Sequence, residues 1–379
     1  MVFGPFKKKR PRFACLIGNG FSIPYNEALS VPELTRGIVD EFSTLAGGDA
    51  EKALASFSEQ FHGFQSDDFE ALLSPIESVG LALTHLSGLQ ALGQKGPEKL
   101  EKALSEVAKF CRDVYRIGFG TALELVASAA TGKGHEVHNE TVVAPCKTIA
   151  ELDSADPIAV ATLNYDGLLH SGFLDCLGST ALDDLGAGYE TNHLAPTGEP
   201  HLPCHPMRLA SEFRRSSRVH LLNLHGSLAW LEDPAMESVH KFQLQSLRHL
   251  SYWSEFKAGT AAMNPVVVLT NRKQNRIREA PFSLAYSVFE ERLQAADRWL
   301  IAGYAFGDEP VNAVFRRCSA ARAKWGAPTR LLVLGKGGDP AAVAATVETR
   351  LGVRPEDLAM DLSGLPSSVG GDAWNVWAE

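Results

Sequence analysis

The stretch Thr162-Leu163-Asn164-Tyr165-Asp166-Gly167-Leu168 constrains this chain most. Before it stands Pro157-Ile158-Ala159-Val160-Ala161, a short apolar run that reads as a buried strand. After it, Leu169-His170-Ser171-Gly172 opens a predicted helix over about 168–177. A buried strand that stops in Asn, Asp and Gly carries polar groups at its carboxyl end, where open α/β sheets bind ligands. The same pattern recurs along the chain. Residues 13–17 enter Gly18-Asn19-Gly20-Phe21-Ser22, and 219–224 enter His225-Gly226-Ser227. Residues 299–303 enter Tyr304-Ala305-Phe306-Gly307-Asp308, and 330–334 enter Gly335-Lys336-Gly337-Gly338. A further strand is expected at 266–270.

Helical patterns over about 281–296, 309–323 and 340–351 alternate with these later strands. Such alternation predicts an α/β fold: a Rossmann-like, doubly wound parallel sheet with right-handed crossovers. The strand ends at 17, 163, 224, 303 and 334 are expected on one edge. Between the first strand and the strand at 158, the signals are mostly helical. Ser30 with Glu33 makes a capping-box pattern, and Asp67-Asp68-Phe69-Glu70-Ala71-Leu72-Leu73 reads as a capped helix start. A helix beginning at Pro97 is weakened at Gly118-Phe119-Gly120, and Thr131-Gly132-Lys133-Gly134-His135 is a break. The expected organisation is a basic arm at 1–12 and an α/β domain at 13–350. That domain carries a helical insertion at about 32–150 and loop insertions at about 180–217 and 232–262. Residues 351–379 form a C-terminal extension.

The net charge of −9 argues against nucleic acid as the main partner. It leaves room for a local patch such as Arg208, Arg214, Arg215 and Arg218. Lys7, Lys8, Lys9, Arg10 and Arg12 precede no apolar segment, so they read as a solvated arm rather than a signal peptide. No apolar run approaches the roughly 18 residues of a membrane span. The 6 cysteines are scattered without a C-x-x-C pair, which fits a reducing cytoplasm and no zinc ribbon. His201, Cys204 and His205 form an H-x-x-C-H cluster, but without a second Cys pair no metal is expected there.

Each strand end has a plain reading and a functional one. Gly18-Asn19-Gly20 is either an ordinary turn or a loop whose backbone N–H groups approach a diphosphate. Asn164 and Asp166 are either a cap or Asx turn, or groups that hold a water, an amide or a ribose. Tyr165, between them, is expected to face the core or the helical layer. His225 is either a core histidine or a general base. Arg272, Lys273, Arg276 and Arg278 read as a solvated charged loop, with phosphate or a second subunit as the alternative.

Taken together and in order, G-N-G-F-S, T-L-N-Y-D, N-L-H-G-S and G-Y-A-F-G-D resemble the nucleotide-site motifs of bacterial sirtuin-like proteins, the NAD-cleaving effectors of antiphage defence systems. Asp68 to Leu73 also resembles the helical region of that branch. The resemblance spans roughly residues 13 to 340 and implies a sirtuin-like fold. It implies that Asn164 holds a water near the nicotinamide ribose, that Asp166 lies at the nicotinamide pocket and that His225 is the catalytic base. Gly18, Asn19, Gly20 and Ser22 would form the phosphate loop, and Gly303 would meet the adenosine ribose. Tyr304 and Ala305 replace the hydroxyl residues of the sirtuin stretch, and the zinc ribbon of the deacylating members is absent.

The implied activity is hydrolysis of NAD, the substrate, to nicotinamide and ADP-ribose or a cyclic form. In abortive infection this depletes NAD in the cytoplasm. With no sensor domain recognisable, gating is expected through a homo-oligomer, a hexameric translocase ATPase of the HerA type, or a short Argonaute-type partner. Two alternatives stay open: a non-hydrolytic module that binds NAD or ADP-ribose, and an NAD-dependent protein deacylase.

Overall fold

The computed structural model describes residues 10–45, 68–90, 98–131, 139–186, 191–209, 212–269, 273–327 and 329–379. Most of the expected basic arm, the break at 132–135 and Arg272 lie outside these residues.

In chain order, β1 (Phe13–Ile17) leads into α1 (Val31–Leu45), α2 (Phe69–Gln90), α3 (Glu98–Thr131) and α4 (Ala144–Ala150). Next come β2 (Ile158–Thr162), α5 (Leu168–Leu177), β3 (Leu182–Asp184), β4 (Asn192–Leu194), β5 (Leu202–Pro206) and β6 (Val219–Asn223). Then follow β7 (Gly226–Asp233), β8 (Ser238–Phe242), α6 (Leu244–His249), α7 (Tyr252–Ala258), β9 (Asn264–Val267) and α8 (Lys273–Arg276). The chain closes with α9 (Phe282–Ala295), β10 (Arg298–Ala302), α10 (Glu309–Lys324), β11 (Arg330–Leu334), α11 (Pro340–Leu351), β12 (Leu358–Asp361) and α12 (Asp372–Ala378).

Seven strands form one parallel sheet in the order β12-β11-β10-β1-β2-β6-β3. β1 and β2 are buried along their whole length, which explains why they read as continuous apolar runs. Successive residues point to opposite faces. Cys15, Ile17, Val160 and Leu221 pack toward α1–α5, whereas Ala14, Leu16, Ala161, Trp299 and Ile301 pack toward α9 and α10. The fold is therefore the doubly wound α/β sheet expected from the strand pattern, with a large helical insertion between β1 and β2.

Register brings the strand ends into one row. Ile17 pairs with Thr162 and Ala302, Thr162 with Asn223, and Ala302 with Leu334. The chain moves outward from β1 through β2 and β6 on one side, and through β10 and β11 on the other. This reversal makes the β1/β10 edge a topological switch point, where such sheets bind ligands.

Several local expectations are corrected. The weakly periodic segments at 180–217 and 232–262 are not loops alone. β3 joins the edge of the parallel sheet beside β6, and β4, β5, β8, β7 and β9 form a second, antiparallel sheet. Strands of three to five residues, such as β3, β4 and β5, are too short to reveal a period. The strand expected at 266–270 lies at Asn264–Val267. α3 runs unbroken through Gly118 and Gly120. Close packing accounts for both glycines: a Cβ at Gly118 would lie 2.6 Å from Leu73 Cδ2, and one at Gly120 would lie 2.6 Å from Lys257 Cγ.

The basic cluster does not face solvent as a patch. Arg208 and Arg214 pair with buried Asp183, and Arg218 donates to Ala150 O and Leu152 O, which leaves Arg215 exposed.

Candidate functional site

The loop after β1 is folded against the loop after β10. Gly18 N–H donates to Ala302 O (2.9 Å) and Gly20 N–H to Gly303 O (2.9 Å). The backbones meet so closely that a Cβ at Gly18 would fall 2.6 Å from Gly303 O. Gly303 itself sits at φ +65, and a Cβ there would fall 2.5 Å from Phe21 N. Glycine is required at these positions for close approach and for the left-handed backbone. Phe21 N–H and Ser22 N–H close a short helical turn onto Gly18 O and Asn19 O. Among the described residues, the Asn19 N–H is then the one amide from 18 to 22 without a backbone carbonyl partner. The diphosphate contact expected of Gly18 and Gly20 is accordingly not available through their own N–H groups. Asn19 Nδ2 donates to Leu29 O (3.0 Å), which anchors the far side of the turn.

β2 delivers Asn164 into this loop. Asn164 Nδ2 donates to Gly18 O (3.1 Å) and to Ser22 Oγ (2.9 Å). A carbonyl can only accept, so the amide nitrogen is held on that side and Oδ1 is turned away from it. Ser22 Oγ donates a hydrogen bond to Asp166 Oδ2 (2.5 Å), and Leu168 N–H donates to Asp166 Oδ1 (2.9 Å). Ser22, Asn164 and Asp166 are all buried. Burial pushes the Asp166 carboxyl above the usual carboxylate range, against the opposing pull of the Ser22 and Leu168 hydrogen bonds. Tyr165 packs against the core on the helical side, as expected, and Leu228 N–H donates to its carbonyl.

β6 delivers His225, whose side chain is 6% exposed. Its carbonyl accepts from Val268 N–H (2.9 Å), beside β9. His225 Nε2 lies 3.1 Å from Asp308 Oδ2, at ion-pair distance but without hydrogen-bond alignment. Asp308 Oδ1 accepts from Val311 N–H (3.1 Å) and so caps α10. Asp308 Oδ2 also faces Lys273 Nζ at 3.4 Å, and Lys273 Nζ meets Glu70 Oε2 at 2.9 Å. Burial raises the Asp308 carboxyl, but the His225 and Lys273 contacts and the Val311 amide outweigh it, so the pKa falls below the usual carboxylate range. Lys273 is likewise held protonated: burial is offset by Glu70 and Asp308.

No known family profile and no curated protein sequence matches the chain. Among solved structures, matches include Sir2 proteins at low identity. One, from "Structural Basis for the Mechanism and Regulation of Sir2 Enzymes", has a TM-score of 0.38 and 11% identity, covering 97% of this chain and 93% of that one. Another, from "The Structural basis of Sirtuin Substrate Affinity", has a TM-score of 0.41 and 11% identity, covering 96% and 93%. A third, described as "Sir2-p53 peptide-NAD+", has a TM-score of 0.37 and 11% identity, covering 97% and 91%.

The sheet edge thus gathers the site residues read from the sequence. Gly18, Asn19, Gly20, Ser22, Asn164, Asp166 and Gly303 meet through the contacts above, and His225 stands on the neighbouring strand end. Asp166 has both oxygens engaged within the protein, so its visible work is that of the Asx turn and of a tie to Ser22. Lys273 is not the solvated side chain expected at that loop. Asp308 and Glu70 are not among the site residues that the sequence pattern names, although G-Y-A-F-G-D and D-F-E contain them. Their signal was the motif itself; their meeting with His225 depends on the tertiary fold.

Cys204 is buried on β5 while His201 is exposed and pairs with Glu199, so these two face apart. Among the described residues no group of three or more His, Cys, Asp and Glu is placed to hold a metal ion. No helix among them is long and apolar enough to cross a membrane. A cavity of about 340 Å³ lies apart from Asn164 and Gly18, lined by residues including Tyr115, Phe119, Phe256 and Val268.

Proposed function

We propose that this chain cleaves NAD at the nicotinamide–ribose bond, releasing nicotinamide and ADP-ribose or its cyclic form. The observation that carries this reading is the convergence of the Gly18–Ser22 loop, Asn164 and His225 at one edge of a doubly wound sheet, beside its switch point. The residues present fit a dinucleotide there. The glycine contacts bring the loop backbone close, the Asn19 amide is available to an anion, and the His225 imidazole stands at the neighbouring strand end.

In this reading NAD supplies a cationic pyridinium leaving group, so departure needs little protonation. The chain's work is orientation, exclusion of bulk water and electrostatic support. Asn164, with its nitrogen tied to Gly18 and Ser22, presents Oδ1 to a water or ribose hydroxyl. His225 takes a proton from that water or hydroxyl. Asp166 and Ser22 keep Asn164 in place, and Gly303 keeps the loop against β10.

NAD depletion fits an effector of antiphage abortive infection, gated by self-assembly or by a partner such as a translocase ATPase or a short Argonaute-type protein. Constitutive turnover would harm the host, which is why a gate belongs to the proposal. The test is NAD consumption by the purified chain, alone and with the products of neighbouring genes, and with no peptide present. Nicotinamide release that is lost in both Asn164→Ala and His225→Ala supports the assignment. Tight NAD binding without turnover in every assembly state would move the protein to the binding-module class. Turnover only with an acylated peptide would make it a deacylase.

A further inference from the structure

Asp308 and Lys273 have no part in the chemistry above, yet they stand between its imidazole and the helical layer. The four groups Glu70, Lys273, Asp308 and His225 come from α2, α8, the turn before α10 and the end of β6. Each neighbouring pair lies within 2.9 to 3.4 Å. The side chains of His225 and Asp308 are 6% and 5% exposed. A carboxylate this deep persists only when cations or donors face it. Its two oxygens have separate tasks. Oδ1 caps α10 at Val311, while Oδ2 is turned toward His225 and Lys273.

The turn that delivers Asp308 is itself tightly held. Asp308 N–H donates to the Tyr304 hydroxyl (3.0 Å), Tyr304 reaches Asn312 Oδ1 (2.9 Å), and Asn312 Nδ2 donates to Phe306 O (2.9 Å). Phe306 sits at φ 60, a conformation that a non-glycine residue keeps only when its surroundings impose it.

We propose that Asp308 is the positioning residue for His225, and that the Lys273–Glu70 pair ties this positioning to the helical layer. The kinetic consequence rests on the NAD-cleavage reading; the placement of the imidazole does not. A base that must meet a ribose hydroxyl or a water has to be held to a fraction of an ångström. Asp308 supplies that constraint from one side of the ring. Lys273 keeps the carboxylate charged and in place, and Glu70 keeps Lys273. A shift of α2 therefore reaches the imidazole through three such pairs, without any contact between α2 and the ligand.

The experiment uses the full chain and the variants Asp308→Asn, Lys273→Met, Lys273→Arg and Glu70→Gln. Asparagine is as good an N-cap as aspartate, so Asp308→Asn keeps α10 capped while removing the charge. Two readouts are needed: kcat and KM for NAD, and the ring signals of His225 in 15N-histidine NMR, assigned with His225→Gln. In Asp308→Asn, kcat is expected to fall on the order of 100-fold. KM should stay within about twofold, since the ligand contacts remain. Lys273→Met and Glu70→Gln should lower kcat less, and Lys273→Arg should restore part of it. The His225 signals should move in Asp308→Asn and, in the same sense, in Lys273→Met.

Unchanged His225 signals in Asp308→Asn overturn the positioning role whatever the kinetics. A rise in KM alone overturns it too, because Asp308 would then touch the ligand. If the wild-type chain turns over no NAD in any assembly, the cleavage reading falls and the NMR comparison alone decides the positioning.

Discussion

Ser22 Oγ donates to Asp166 Oδ2 at 2.5 Å, joining residues 144 positions apart and tying the loop after β1 to the loop after β2. The same hydroxyl accepts from Asn164 Nδ2 at 2.9 Å. Ser22→Ala therefore leaves two buried polar groups each short of a partner. The expected cost is about 1–3 kcal/mol, the penalty of an unsatisfied buried group. Denaturant titration measures it, and an unchanged midpoint would show that the tie contributes nothing to folding.

Asp166 makes stability depend on pH in a defined direction. Its folded pKa is raised by burial, so its contribution is fully present below the ordinary carboxylate pKa and is lost as pH rises through the folded value. Asp166→Asn removes that loss. Relative to wild type, the variant should gain stability as pH climbs from about 4 toward neutrality. Melting curves across that range give the difference; one that stays flat with pH contradicts the burial effect.

Gly303→Ala meets two obstacles together. The backbone sits at φ +65, and the new Cβ would lie 2.5 Å from Phe21 N and 2.6 Å from Gly20 C, which are backbone atoms and cannot swing aside. Strain and overpacking together should cost about 2 kcal/mol or more. The loop must also move off β10, so on the proposed function NAD affinity should drop with stability. Calorimetric titration beside a thermal melt reads both.

A separate clamp joins the two sheets. Lys241 on β8 donates to Asp184 on β3, its Nζ lies 2.7 Å from His170 Nε2, and His170 Nε2 lies 3.0 Å from Asp184 Oδ2. Burial raises the Asp184 carboxyl, but Lys241 and His170 outweigh it, so the pKa lies below the usual range. Its stabilising contribution is present above the ordinary carboxylate pKa and is lost as pH falls through the folded one. Lys241→Met leaves the buried carboxylate with His170 alone and should cost about 3 kcal/mol. Adding Asp184→Asn should recover part of that loss in a double-mutant cycle; no recovery means the pair is not coupled.

Strand ends were legible because β1, β2 and β6 are buried on both faces and stop at polar residues, a signal carried by each segment on its own. Gly18, Asn164 and His225 could be named for the same reason. The antiparallel sheet is not legible in the sequence because β4 and β5 are short and half-exposed, with no face apolar enough to mark a period. Gly118 weakens the helical pattern of α3 because a glycine's helix penalty is local, whereas the close contact with Leu73 that favours it is not.

By itself, the sequence determined the doubly wound sheet, the helical stretch between β1 and β2 and the polar residues at the strand ends, since strand burial and turn chemistry are local properties. Tertiary structure alone decided what those residues do to one another. It turned the Gly18 and Gly20 amides onto Ala302 and Gly303, closed both oxygens of Asp166 onto Ser22 and Leu168, and set Asp308 and Lys273 between His225 and Glu70. The physical reason is range. A buried charge is settled by whichever partners the fold brings within about 4 Å of it, and those partners come from segments with no sequence proximity.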